Sequence, residues 1–166
     1  MGLGKSLAAE IQYEAISTRK MLEIVPFEKL SWQPHEKSMT LGALAKHVAE
    51  IPQWTRAVLT QDEMDFTKTE FPNVEYQNAA ELRARFDSLV NDTFQLLQKI
   101  TDKQMKLNWQ LRNGEQILME LPRVGVIRTM VINHLIHHRG QLSVYLRLNN
   151  VLLPSVYGPT ADEQTF

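Results

Sequence analysis

Three of the chain's five histidines, His134, His137 and His138, crowd into one apolar-periodic segment. In a helix, at about 100° per residue, His138 lies about 40° round from His134, so the two share a face, while His137 lies about 60° to the other side. Ile127, Val131, Leu142 and Tyr145 fall on the same side as the HxxxH pair, which therefore looks toward the core, with His137 at its edge. A further imidazole, His47, sits on the apolar stripe of another segment, beside Leu44, Val48 and Ile51. Burying unpaired imidazoles costs on the order of a few kcal/mol unless their nitrogens find partners. One divalent metal ion would satisfy His47, His134 and His138 together. Three neutral imidazoles that leave a coordination position open are the arrangement of a reactive zinc site rather than a purely structural one. The alternative is that each histidine is a core residue with a single hydrogen bond.

The neighbours have their own expected roles. Glu50, one turn after His47, is an alternative oxygen ligand or a solvated carboxylate. Gln141 and Tyr145 lie close enough to the histidine face to orient a ligand, with core packing the competing role for Tyr145. Arg139 leans away and is expected to pair with a surface carboxylate. His35 lies in a polar loop and is expected in solvent.

Positioning these residues requires helices. Leu7, Ile11, Ala15, Thr18, Leu22 and Val25 repeat at three and four over residues 6–25, and Pro26 ends that helix. Residues 27–39 form a connection anchored by Trp32. Thr40 caps a second helix over 41–59, which Pro52 should kink or interrupt about one turn after His47. Residues 61–77, polar and aromatic without a period, read as a surface crossing. Asn78 with Glu81 signals a capped third helix running to residue 100, with Leu82, Phe86, Leu89, Val90, Thr93 and Leu97 on its inner stripe. Between 105 and 121 the period changes to two around Asn113 and Gly114, which fits a short hairpin or an extended loop. Pro122 opens a fourth helix to residue 148. A looped tail over 151–166 follows, with Tyr157 and Phe166 expected to tuck in. The expected fold class is all-α, a four-helix bundle forming a single domain over residues 1–166, with the hairpin between helices three and four.

The 166 residues are 43% hydrophobic and 22% charged, enough to bury a core. A formal net charge of -1 with the two signs interleaved leaves no footprint for nucleic acid or an anionic membrane. Cysteine is absent, which excludes disulfides, thiolate ligands and a cysteine nucleophile, so a metal must use nitrogen and oxygen donors. The amino terminus has no basic-then-apolar signal, and no apolar run approaches the roughly 18 residues of a membrane span, so the expected location is the cytoplasm. Met1, Gly2 and Ser6 fit a loose myristoylation pattern, and Gly4, Lys5 and Ser6 the end of a phosphate-binding loop. Both are read as chance, since that loop needs an earlier glycine after a buried strand. On the fourth helix Ile132, Ile136, Gly140 and Ser143 form an outward set too apolar for a solvated face, so a homodimer across it is expected unless the tail or hairpin covers it.

The run His134, Leu135, Ile136, His137, His138, Arg139, Gly140, Gln141, Leu142, followed by Pro154, Tyr157, Gly158, Pro159, Ala161, Asp162 and Glu163, resembles the DinB family of metal-dependent proteins. So does the earlier stretch Thr40, Leu41, Gly42, Leu44, Ala45, His47, and the resemblance covers essentially the whole chain. It implies His47, His134 and His138 as ligands to one nickel or zinc ion, His137 as a bystander, an up-down-down-up four-helix bundle and frequent homodimers. Members were named for expression induced by DNA damage, and relatives in the wider superfamily transfer low-molecular-weight thiols or isomerise with their help.

Two enzymatic readings and one non-enzymatic reading follow. The metal's open position binds a small-molecule thiol as thiolate, which attacks an electrophile, the sulfur coming from outside because the chain has none to offer as cysteine. Alternatively the metal activates water against an amide or ester. In the third reading the metal ties two helices together and stabilises the bundle without turnover. Imidazole ligands by themselves suit zinc, nickel, cobalt, copper and iron.

Overall fold

The apolar stripes become four long helical runs in the computed structural model, which describes residues 2–164. Met1 and the expected burial of Phe166 lie outside the described residues. Helix α1 (Leu3–Glu23) buries Leu7, Ile11, Ala15, Thr18 and Leu22 against α4 (Ala79–Lys99), which buries Leu82, Phe86, Val90, Thr93 and Leu97. Each fully buried Leu, Ile or Phe contributes about 1.5–3 kcal/mol. The close approach of α1 to the end of α4 is built on Gly4, where a Cβ would stand 2.4 Å from the Leu97 carbonyl oxygen. Close packing, with no phosphate chemistry, accounts for that glycine.

Between these helices lies the run that carries His47. Thr40 accepts a 3.2 Å hydrogen bond from the Ala43 N–H and caps α2 (Leu41–Glu50). Pro52 then divides the expected second helix: a tight 3₁₀ turn, Ile51–Gln53, joins α2 to α3 (Trp54–Thr60). The buried Thr93 hydroxyl donates to the Pro52 carbonyl at 3.0 Å. At the start of α4, the Asn78 side chain accepts from the Glu81 N–H at 2.9 Å, while Glu81 reaches back to the Gln77 N–H at 2.9 Å.

The last run is helical from Arg123 to Leu148 but not uniformly wound. A first turn, α5 (Asp102–Met105), precedes the hairpin, and after it come α6 (Arg123–Val126), a π-helical stretch (Ile127–Asn133) and α7 (His134–Leu148). Ordinary α geometry thus begins at His134, so the HxxxH pair keeps the spacing of the helical wheel. The α6–α7 run lies antiparallel to the α2–α3 run: α2 packs on α7, and α3 packs on the π stretch that precedes it.

The all-α expectation needs correction. The hairpin is real, with β2 (Asn108–Asn113) antiparallel to β3 (Gln116–Pro122), Trp109 opposite Leu121, and Gly114 taking the turn at φ +60°. A third strand, β1 (Glu63–Asp65), lies inside the crossing segment and pairs in parallel with β2. Three residues are too few to display a period, and the pairing exists only because β2 offers its free edge. Asp65 locks the junction, since its Oδ1 accepts from Gly114 N–H at 2.9 Å, Thr67 N–H at 3.0 Å and the Thr67 hydroxyl at 2.8 Å. Those bonds, led by Gly114, hold its carboxyl well below the ordinary carboxylate range. Trp109, fully buried, and Leu111 seat the sheet on the helices. Among the described residues, no helix is long and apolar enough to cross a membrane.

Candidate metal centre

The antiparallel packing of α2 on α7 sets His47 against His134 and His138. One nitrogen from each of the three rings lies within 4.8 Å of the others, a group that could hold a metal ion. His47 Nε2 and His134 Nε2 stand 3.1 Å apart. Two imidazole nitrogens bound at about 2.0–2.1 Å to a tetrahedral ion lie about 3.3 Å apart, so this pair is already at bridging distance. The ring centroids are 4.9 Å apart for His47 and His134, and 4.6 Å for each of the other two pairs.

Outer partners turn the α7 rings inward. The His134 Nδ1–H donates to the Met130 carbonyl at 3.3 Å, and the His138 Nδ1–H donates to Gln141 Oε1 at 2.7 Å. With Nδ1 occupied in each ring, Nε2 keeps its lone pair for the cluster, the tautomer that metal-binding histidines adopt. Gln141, expected to orient a ligand or a bound water, is instead hydrogen-bonded to the His138 ring itself. The Met130 carbonyl carries no residue-type signal and is legible only from the backbone path into α7.

All three rings are half-buried. Burial, and then the positive charge each neighbour would carry, lowers the His47 pKa to about 4. Burial likewise lowers those of His134 and His138, against the opposing hydrogen bonds from Met130 and Gln141. The cluster is therefore neutral near pH 7, the state in which imidazole can ligate.

The other candidates sort out by geometry. Glu50 lies outside the cluster and accepts a 2.8 Å hydrogen bond from the Tyr76 hydroxyl, whose pKa is raised to about 12 by burial and by Glu50. His137 is exposed, its ring 4.8 Å from that of His138. His35 is exposed, its Nδ1 accepting from the Lys37 N–H at 3.1 Å. Tyr145 packs edge-on against Trp32 with centroids 5.5 Å apart. An apolar cavity lined by Phe27, Leu30, Lys46 and Tyr76 includes none of the three histidines.

The DinB family profile matches residues 2–165. The chain belongs to the DinB family. It is 27% identical over 157 residues to the uncharacterised protein YrdA of Bacillus subtilis, covering 92% of this chain and 86% of that one. The crystal structure of the DinB-like protein YjoA of Bacillus subtilis superposes with a TM-score of 0.69 at 18% identity, covering 96% of this chain and 99% of that chain. A DinB-like protein from Bacillus cereus superposes at 0.63 with 25% identity, covering 88% and 92% respectively.

Two expectations about the last helical run of this DinB chain are overturned. Arg139 is not on the surface: it is 2% exposed and forms a 2.7 Å ion pair with buried Glu14 of α1. Its Nη1 also donates to the Ser17 hydroxyl at 2.8 Å and the Glu14 carbonyl at 3.0 Å. The Tyr157 hydroxyl closes the network, accepting from Arg139 at 2.8 Å and donating to Glu14 at 2.6 Å. Tyr157 is tethered by that hydroxyl while its ring stays 56% exposed, so it ties the tail down without being buried. Ile132 is fully buried within the chain and belongs to no outer face. At 100° per residue Ile132 falls on the same stripe as the buried Leu135, Arg139, Leu142 and Leu146, so the core face of this run lies round from the histidines rather than on them. Ile136, Gly140 and Ser143 remain beside a recess shared with Val156 and Tyr157 of the tail.

Proposed function

We propose that His47, His134 and His138 hold one divalent ion, nickel or zinc, and that the protein uses it to transfer a low-molecular-weight thiol to an electrophilic small molecule. The observation that carries this reading is the convergence of three neutral, half-open imidazoles whose α7 members are pre-oriented through Nδ1. In this reading the four helical runs act as an up-down-down-up bundle whose packing of α2 on α7 sets the ligand spacing. When bound, the ion would act as a Lewis acid that lowers the pKa of a coordinated thiol toward neutrality.

The chain's own contribution is placement. Gln141 and the Met130 carbonyl keep the rings in one tautomer, and the half-open cluster leaves room for a non-protein ligand. The transfer forms a sulfur–carbon bond, the leaving group departs with the bonding pair, and the thiol proton passes to solvent. Any homodimer across the α7 face would rest on Ile136, Gly140 and Ser143, without Ile132.

Metal content by mass spectrometry on untagged protein tests the site, for the parent and for His47→Ala, His134→Ala, His137→Ala and His138→Ala. About one equivalent in the parent and in His137→Ala, with loss in the other three, is the expected result. A metal-free parent after growth with added zinc and nickel would overturn the reading. Titration of the cobalt-substituted protein with a small thiol then tests the reaction class: the visible bands shift if sulfur enters the coordination sphere and stay fixed if it does not.

A further inference from the structure

Trp54, which packs against the core, forms a ring cluster with Phe66 and Phe71. Their centroids are 6.1 Å (Trp54 to Phe66), 5.9 Å (Trp54 to Phe71) and 6.0 Å (Phe66 to Phe71) apart, yet Phe66 and Phe71 remain 39% and 48% exposed. Two adjoining phenylalanines left this exposed beside a tryptophan are a costly arrangement for a surface crossing. The backbone beneath them is held firmly. Phe66 N–H donates to the Arg112 carbonyl at 3.0 Å, and the Asp65 carboxylate fixes the next residue, Thr67.

Helix geometry relates this cluster to the histidines. Trp54 stands seven residues after His47 on the α2–α3 run, about 10 Å further along the axis. Counting about 120° for each of the three residues in the tight turn and 100° for the others, Trp54 lies about 40° round from His47. It therefore shares the histidine face. On the antiparallel run, Tyr145 stands seven residues after His138, about 20° round and about 10 Å in the opposite direction. There it packs edge-on with Trp32. The histidine cluster is thus flanked along one face by aromatic side chains on both sides.

We infer that the exposed rings of Phe66 and Phe71, with Trp54 between them and the core, bind a planar aromatic group of the small molecule whose other end reaches the histidine cluster. This deepens the reading given above and rests on it. The occupant is a flat apolar ring on a linker that covers the backbone offset of about 10 Å between His47 and Trp54, because tilted and edge-on side-chain rings at about 6 Å offer further rings the same stacking geometries.

The test compares two thiols on the cobalt-loaded protein: an alkyl thiol bearing a terminal naphthyl ring and long enough to span about 10 Å, and the same thiol without the ring. The naphthyl thiol is expected to bind about tenfold more tightly to the parent. That advantage disappears in Phe66→Ala and Phe71→Ala, which keep their metal and their thiol-induced band shift. Equal affinity of the two thiols for the parent, or an advantage that survives both substitutions, would overturn the inference while leaving the metal–thiol reading standing. If neither thiol shifts the cobalt bands, the thiol reading falls, and the naphthyl alcohol of the same length decides the ring cluster alone. It must bind the parent more tightly than the Phe66→Ala, Phe71→Ala double variant, or the inference falls as well.

Discussion

Replacing Gln141 by Leu removes the acceptor that holds His138 Nδ1–H at 2.7 Å while leaving all three candidate ligands in place. Gln141 is exposed, so the substitution disturbs no core packing. Losing an orienting partner of a metal-bound histidine costs about 10–100-fold in metal affinity, equivalent to about 1.4–2.7 kcal/mol. The lower end applies here, because solvent reaches Gln141 and a water molecule can replace the lost acceptor in part. The partner of His134 is a backbone carbonyl that no substitution removes, so it sustains that ring in every variant. Competition for zinc against a chromophoric chelator should therefore give a Gln141→Leu affinity about tenfold below the parent. Gln141→Glu, whose carboxylate is a stronger acceptor, should bind at least as tightly as the parent. Parent-like affinity in Gln141→Leu, alongside loss of binding in His138→Ala, would show that His138 does not depend on this hydrogen bond for its orientation. The inward-facing Nε2 argument would then be wrong.

Arg139→Met strands the Glu14 carboxylate inside the protein and should cost about 3–5 kcal/mol in urea unfolding, while adding Glu14→Gln should recover part of that loss; strictly additive losses would refute a coupled pair. In metal-free protein, His47 is neutral when folded down to about pH 4 but takes a proton near pH 6.5 when unfolded. Its contribution is therefore complete above about 6.5 and is lost as the pH falls toward 4, so the urea midpoint should decline between pH 7 and 5, and less so in His47→Leu. Gly4→Ala should destabilise by about 1–3 kcal/mol, because the new Cβ meets the Leu97 carbonyl. Gly140→Ala, whose Cβ meets nothing within 4 Å in mid-helix, should instead stabilise by up to about 1 kcal/mol, both variants being read by urea unfolding. Equal signs at the two glycines would refute the packing account.

Much of this protein was determined by periods and caps alone. Apolar spacing located the long helical runs, Thr40 and Asn78 marked two of their starts, Pro52 marked the break, and the i, i+4 spacing put His134 and His138 on one face. These are local properties, decided by which residues recur within a turn or two of backbone. Gln141 belongs with them, since its contact with His138 is a one-turn neighbour on α7. What lay beyond the sequence depended on segments distant in the chain. Strand β1 forms only because β2 presents an edge to three otherwise unremarkable residues, and Ile132 is buried because the core packs on the stripe it shares with Leu135, Arg139, Leu142 and Leu146. Arg139 leaves solvent because α1 brings Glu14, Ser17 and Thr18 to meet it and the tail returns Tyr157. Its charge foretold a surface only while its partners were unknown. The separation of the histidines was likewise a tertiary matter: periodicity could turn three imidazoles inward, but the packing of α2 on α7 alone set two of their nitrogens 3.1 Å apart.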